Sequence, residues 1–137
     1  SNIGTIDEPQ SKLNLTYKNN IPIVSIKIDN NGYNFIFDSG ATQHVLSDNL
    51  IQSLSNIEII SKDTKLMTAG ENSISNKVVY AEFSLTEDRK FYDRFLVQDL
   101  NEIQSQMGLE IDGILSISQL NLNSMVIDTD KKEIYIQ

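Results

Sequence analysis

Apolar and polar residues alternate through most of the chain, a pattern that predicts strands. In "SKLNLTYK" the alternation places three apolar side chains on one face, and "IPIVSIKI" continues with the same period of two. The next segment, "DNNGYN", contains Asn31-Gly32, two residue types that tolerate positive φ in a two-residue turn. We therefore expect a hairpin that turns at Asn31-Gly32 and has "YNFIF" as its second strand.

The second half of the chain repeats the strand pattern. "TKLMTAGENSISNKVVYAEFSL" has apolar segments on both sides of Ala69-Gly70, which predicts an exposed hairpin with these two residues near its tip. "KFYDRFLV" predicts a further strand, and "NSMVIDTDKKEIYIQ" predicts a closing hairpin that turns between Asp128 and Lys132.

Two or three short helices interrupt the strands. Ser47 or Asp48 can begin a helix over "DNLIQSL", and "DLNEIQSQM" predicts a second helix that begins at Asp99 and ends near Gly108. "ISQL" is long enough for one helical turn. The predicted fold class is therefore mainly β, with short helices between the strands.

The length of 137 residues suits one domain with a modest hydrophobic core. Residues 1–11 are a polar stretch that we expect to form a flexible lead-in, and residues 12–137 form the single predicted domain. The chain has no cysteine, which excludes disulfides, thiolate metal sites and thiol nucleophiles.

Charge and hydropathy limit the partners. The formal net charge of −8 argues against nucleic acid or an anionic membrane, since either needs a basic patch. No apolar run is long enough for a membrane span or a signal peptide. The chain begins at Ser1 without a methionine, which leaves the compartment unknown and a removed signal peptide, with export to the periplasm or medium, as an open expectation.

The candidates for chemistry are few. The motifs of phosphate-binding loops, zinc proteases and serine hydrolases do not occur. His44 is the single histidine, and we expect a structural or surface role for it, because one histidine makes a poor metal site; neither a metal nor a cofactor is predicted. Asp38 remains, at the end of an apolar strand, where a carboxylate needs either solvent or a partner.

Two segments resemble the active-site sequences of aspartic proteases. "FIFDSGAT" is similar to the family's signature of apolar strand residues followed by Asp, Ser or Thr, Gly, and Ala or Ser. "DGILS", followed by "ISQL", is similar to the later apolar-apolar-Gly segment and its short helix. The single motif and the length resemble the retropepsin-like group, especially its bacterial single-lobe members. This resemblance implies a closed β-barrel lobe.

The resemblance also implies a homodimer in which each subunit contributes Asp38 to one site on the twofold axis. Two adjacent carboxylates cannot both ionise cheaply, so the pair shares a proton. The charged member would activate a water, and the protonated member would donate to the scissile carbonyl of a peptide or protein substrate. The implied activity is that of an aspartic endopeptidase.

By the same resemblance, Asp38 is catalytic and the loop after it forms the floor of the site, with the Ser39 hydroxyl in a network across the twofold axis. The Gly40 amide approaches the carboxylate. The remaining expected site residues lie beside the substrate backbone, in the subsite walls or in a flap; they are Ala41, Thr42, Val45, Ala69, Gly70 and Ile114. Val45 and Ile114 are equally compatible with an ordinary core role, and Gly70 with an ordinary turn.

Two residues depart from the family pattern. Ser116 stands where the family usually has glycine, and Ser118 stands where an acidic or amide residue frequently follows. The Ser116 side chain either crowds the neighbouring loop or replaces a backbone contact with its hydroxyl. Asp112 is the rival partner for Asp38 within one chain, but it lacks the Ser/Thr-Gly signature and is predicted to be a turn residue.

An alternative function of a different class is a non-catalytic peptide-binding or dimerisation module with the same fold. In that case Asp38 merely caps its own turn. Two strands are candidates for the dimer interface because we expect them to be exposed edges: Leu13 to Tyr17 and Glu133 to Gln137.

Overall fold

The computed structural model describes residues 10–62 and 76–137 and is built mainly from strands. The strands are β1 (Ser11–Lys12), β2 (Leu15–Lys18), β3 (Ile21–Ile28), β4 (Asn31–Asp38), β5 (His44–Ser47), β6 (Ile57–Lys62), β7 (Asn76–Thr86), β8 (Arg89–Gln98), β9 (Gly113–Ser116), β10 (Met125–Asp128) and β11 (Glu133–Ile136). The helices are a 3-10 helix (Asp48–Ser53), α1 (Asn101–Met107) and α2 (Ile117–Leu120).

Six of the strands close into a barrel in the order β3-β4-β9-β5-β8-β7. The barrel closes because Lys27 of β3 pairs with Ser84 of β7 in addition to the β3–β4 pairing. β4 runs parallel to β9, β5 runs parallel to β8, and β5 and β9 are antiparallel. The prediction of a closed β-barrel with a few short helices is confirmed.

The first hairpin forms, but its turn differs from the prediction. β3 and β4 pair from Ile28 opposite Asn31, so the turn is Asp29-Asn30, with φ of 53° and 65°. Gly32 is a strand residue opposite Lys27. Aspartate and asparagine adopt the left-handed region at modest cost, and the same two-residue geometry recurs at Asn19-Asn20 between β2 and β3.

The short helices lie where the sequence predicts them. The 3-10 helix begins after Ser47, whose hydroxyl oxygen accepts a hydrogen bond from the Asn49 amide. α1 follows Asp99, whose carboxylate accepts from the Asn101 amide at 2.9 Å, and it ends at Gly108 with φ of 65°. No helix among the described residues is long and apolar enough to cross a bilayer.

Two apolar clusters lie on opposite faces of the barrel wall. Successive residues of β4 belong to different clusters: Phe35 and Phe37 belong to the main core, and Ile36 belongs to the second cluster. The main core is centred on three aromatic rings in edge contact, those of Phe35, Phe83 and Phe95. The second cluster is covered by α1 through Ile103 and Met107.

A small second sheet has the order β1-β11-β10. The expectation that Glu133 to Gln137 forms an exposed edge is wrong, because β11 lies in the middle and is paired on both sides, with Ser11 and Met125 both opposite Ile136. Among the described strands near the termini, the edge strands are β2 at one end of the large sheet, and β1 and β10 at the two sides of the small sheet.

Candidate active site

Asp38 is the last residue of β4 and is half-buried. β4 carries it to this point because Phe35 and Phe37 fix the strand in the core, which leaves the carboxylate at the strand's carboxyl end. The Gly40 amide donates a 2.8 Å hydrogen bond to Asp38 Oδ1. Across the parallel β4–β9 pairing, the residue opposite Asp38 is Ser116.

The loop after Asp38 is open to solvent in part. Ser39, Gly40 and Thr42 are exposed, and Ala41 is half-buried. The Ala41 carbonyl oxygen points back toward β9, where the Ser116 hydroxyl donates to it at 2.7 Å. The exposed part of the loop is therefore attached to the barrel through a backbone carbonyl.

Ser116 is fully buried and its hydroxyl has two roles. Besides donating to Ala41, Ser116 Oγ accepts a hydrogen bond from the Gln119 amide at 3.1 Å and so caps α2. The Ser118 hydroxyl lies 3.0 Å from Ser116 Oγ and 3.3 Å from the Ala41 carbonyl oxygen. Of the two possibilities for Ser116, crowding or a new contact, the structure shows the contact.

Val45 and Ile114 face each other across the antiparallel β5–β9 pairing. Val45 is 8% exposed and Ile114 is half-buried, and both belong to the second apolar cluster together with Ile36. Their side chains therefore lie on the wall face opposite the main core. The two other residues predicted for the site, Ala69 and Gly70, lie outside the described residues.

Asp112 is occupied elsewhere. Its Oδ2 accepts from the Asn34 amide at 2.9 Å, and the Asp112 amide donates to the Asn34 carbonyl at 2.8 Å. Asn34 lies four residues before Asp38 on β4, which at about 3.3 Å per residue is roughly 13 Å along the strand. Asp112 is a structural residue of a turn, as predicted.

His44 is fully buried behind the loop, at the start of β5. Its Nδ1 accepts from the Ser116 amide at 2.9 Å, and its Nε2 lies 3.2 Å from Asp93 Oδ2. Gln119 closes the network: its Nε2 donates to Asp93 Oδ1 at 2.9 Å, and its Oε1 accepts from the His44 amide. Burial lowers the pKa of His44, and the nearby Asp93 carboxylate opposes this shift.

The chain matches one protein family and one fold. The sequence profile described as Aspartyl protease matches residues 24–118, more than half of the chain. The chain belongs to the aspartyl protease family. A retropepsin-like aspartic protease from Rickettsia conorii has the same fold, with a TM-score of 0.57, 16% identity, and coverage of 93% of this chain and 89% of that chain. No curated protein sequence matched the chain.

The fold of this aspartyl protease is retropepsin-like, as the resemblance in the sequence implied. Of the two roles expected for His44, structural or surface, the surface role is wrong, because its ring is buried and enclosed by Phe83, Phe95 and the polar network. Among residues 10–62 and 76–137, no cluster of three or more histidine and acidic side chains has the geometry to hold a metal ion.

The sequence interpretation did not identify Asp93 and Gln119 as residues of this network. A signal for Asp93 was present: in "FYDRF" it has the same strand phase as Phe91 and Phe95, so an acidic side chain is directed to the apolar face. A polar residue in an apolar phase of a strand needs a buried partner. His44 is that partner, 49 positions away in the chain. No comparable pattern marks Gln119.

Proposed function

We propose that this aspartyl protease is an endopeptidase that acts as a homodimer, with the two Asp38 carboxylates of the pair as its catalytic groups. The observation that carries the proposal is the position of Asp38: it ends β4 in a half-exposed loop, fixed by the Gly40 amide through one oxygen. Within the described residues no hydrogen bond joins Asp38 to a second carboxylate. A twofold partner would supply one.

The chemistry follows from two carboxylates at close range. Their mutual repulsion keeps one proton on the pair, so one member is a base and the other an acid. The base removes a proton from a water as that water attacks the scissile carbonyl carbon, and the acid donates its proton to the carbonyl oxygen. The carboxyl group that took the proton from water then donates it to the amine nitrogen, and the other carboxylate takes back a hydroxyl proton as the C–N bond breaks and the carboxylic acid product forms. No acyl-enzyme forms.

Substrate binding in this proposal uses an extended peptide. Ala41 and Thr42 lie on the floor beside the peptide backbone, and Val45 with Ile114 form apolar walls for alternate side chains. Of these two wall residues, Ile114 is the more accessible, since it is half-buried whereas Val45 is 8% exposed.

The decisive variant is Asp38→Asn, measured with a diverse peptide library across a range of pH. We expect no cleavage and an unchanged circular dichroism spectrum. Asp112→Asn is the matched control: its side-chain oxygen can still accept from the Asn34 amide, so we expect cleavage to persist. Cleavage by Asp38→Asn, or equal loss in both variants, would contradict the catalytic assignment.

The dimer is tested by mixing the wild-type and Asp38→Asn chains. If each active site needs two Asp38 residues, equal amounts after random exchange leave roughly one quarter of the dimers active. Activity that falls only to one half would indicate independent subunits. A protein that stays monomeric at high concentration and cleaves nothing would favour a binding module with the same fold.

A further inference from the structure

The buried ring of His44 has no role in the proposed chemistry, yet it is bonded to the strand that holds the active-site loop. We propose that His44 is a positioning residue for this loop, and that it acts as a neutral ring with its single proton on Nε2 facing Asp93. The part of this inference that concerns catalysis rests on the proposed protease activity. The part that concerns the tautomer and the loop does not.

The partners of the ring determine its tautomer. The Ser116 amide is a donor and cannot accept, so Nδ1 of His44 must carry the lone pair at 2.9 Å from it. The proton then lies on Nε2, 3.2 Å from the Asp93 carboxylate, which is an acceptor. A second proton on Nδ1 would bring two N–H groups together and break the bond to Ser116.

The bond to Ser116 connects the ring with the candidate catalytic residue. Ser116 lies opposite Asp38 in the β4–β9 pairing, and its hydroxyl holds the Ala41 carbonyl at 2.7 Å. A shift of the Ser116 backbone would therefore disturb both the strand pairing beside Asp38 and the hydrogen bond to the Ala41 carbonyl. Because catalytic geometry is sensitive to displacements of about 1 Å, the ring acts on the reaction without touching the substrate.

The surroundings of the ring favour the neutral form. The Phe83 and Phe95 rings lie 6.0 Å and 5.2 Å from it, β9 contributes an amide, and α2 contributes the uncharged Gln119. Asp93 of β8 is the charged group against the ring among the described residues. Burial is the larger influence and lowers the pKa of His44, so the ring stays neutral to a pH below its ordinary titration range.

The tautomer is measured by nitrogen-15 NMR of the imidazole ring in the Asp38→Asn protein, which avoids self-cleavage. His44 is the single histidine, so its signals need no assignment. We expect the Nε2–H tautomer at neutral pH, and on acidification we expect the amide signals of Gly40 and Ala41 to shift together with the ring. An Nδ1–H tautomer, an imidazolium at neutral pH, or loop amides that ignore the ring's titration would overturn the proposal.

Two substitutions test the contributions of the two ring nitrogens of His44 separately. In His44→Asn the side-chain oxygen stands near the position of Nδ1 and can accept from Ser116, whereas in His44→Gln the amide stands near Nε2 and can donate only to Asp93. An unpaired buried amide is costly, so we expect kcat of His44→Gln to fall roughly tenfold or more with little change in KM. His44→Asn should keep kcat within a few fold of the wild type.

The positioning role of His44 and the proposed protease activity can fail independently of each other. Equal effects of His44→Asn and His44→Gln on kcat would mean that the ring only fills space, and the positioning role would be wrong. If the wild-type protein cleaves no peptide, the proposed function fails. The NMR measurement still decides whether His44 holds the loop, by comparing the Gly40 and Ala41 amides in the same two variants.

Discussion

The hydroxyl of Ser116 donates a 2.7 Å hydrogen bond to the carbonyl oxygen of Ala41, which joins β9 to the loop that follows Asp38. A glycine at position 116, which is usual in the family, has no side chain with which to make this bond. The same oxygen caps α2 by accepting from the Gln119 amide. This aspartyl protease therefore holds the loop after Asp38 from behind with a side chain.

Removing the Ser116 hydroxyl should destabilise the protein. Ser116→Ala loses a helix cap and leaves the Ala41 carbonyl with a weaker donor, so we expect the free energy of unfolding to fall by about 1–3 kcal/mol. Urea unfolding followed by circular dichroism measures this change. Ser118→Ala is the control, because Ser118 is exposed and its hydroxyl lies farther from the Ala41 oxygen, at 3.3 Å. Equal losses in the two variants would contradict the role given to Ser116.

Gly113 is a position where the barrel wall tolerates no side chain. A Cβ there would overlap the Val45 carbonyl oxygen and the ring of Phe35. We expect Gly113→Ala to lower the free energy of unfolding by at least about 3 kcal/mol or to prevent folding. The measurement is the urea midpoint of the purified variant, or its soluble yield if it does not fold.

Gly32→Ala is the control for that substitution. The nearest atom to a Cβ at this exposed strand position is Ser25 Oγ at 3.6 Å, an ordinary contact. We expect a change within about 1 kcal/mol of zero, because alanine costs less chain entropy than glycine. A neutral Gly113→Ala would show that β5 and β4 adjust their spacing at this point, contrary to the close packing of the wall.

The local features of this fold can be predicted from the sequence, whereas several long-range contacts cannot. The alternation in "YNFIF" predicted β4 because adjacent positions decide which face a side chain occupies. The turn was placed two residues too late, because Asn31-Gly32 and Asp29-Asn30 both tolerate positive φ and only the β3–β4 register selects between them. The His44–Asp93 contact depends on the order of strands in the barrel, which periodicity does not contain.

The proposed dimer needs an edge that accepts a second chain, and β10 is the longer of the two edge strands of the small sheet, the other being β1. It carries two exposed apolar residues, Val126 at 47% and Ile127 at 52% exposure. Ile127→Lys places a charge on this edge, and we expect it to weaken self-association at least tenfold in analytical ultracentrifugation. Cleavage should fall in parallel, since the proposed site needs both subunits.

Ile59→Lys provides a matched comparison on β6, which ends the large sheet. Ile59 is 48% exposed, so the same substitution adds the same charge at a similar surface position. We expect it to leave association unchanged. If Ile59→Lys weakens the dimer and Ile127→Lys does not, the interface lies at β6.

Asp29 fastens the β3–β4 turn to the segment before β6. Its Oδ2 accepts from the Ser55 amide at 2.9 Å, and its Oδ1 accepts from Asn56 Nδ2 at 3.0 Å. The Ser55 amide is the main cause that lowers the pKa of Asp29. A carboxylate whose pKa is lower in the folded state stabilises the protein at pH values above its unfolded-state pKa, about 3.9. This contribution is lost as the pH falls through the folded-state pKa.

Asp29→Asn isolates this contribution, because asparagine also tolerates the positive φ of 53° but carries no charge. We expect the wild type to be the more stable protein at pH 6 and its advantage to shrink below about pH 4, as measured by urea midpoints at several pH values. Asp88→Asn, an exposed change in the β7–β8 turn, should stay within about 0.5 kcal/mol of wild type at pH 6. If the wild type is more stable than Asp29→Asn by the same amount from pH 6 to pH 2, the charge of Asp29 does not account for the difference. The turn geometry would then be the cause.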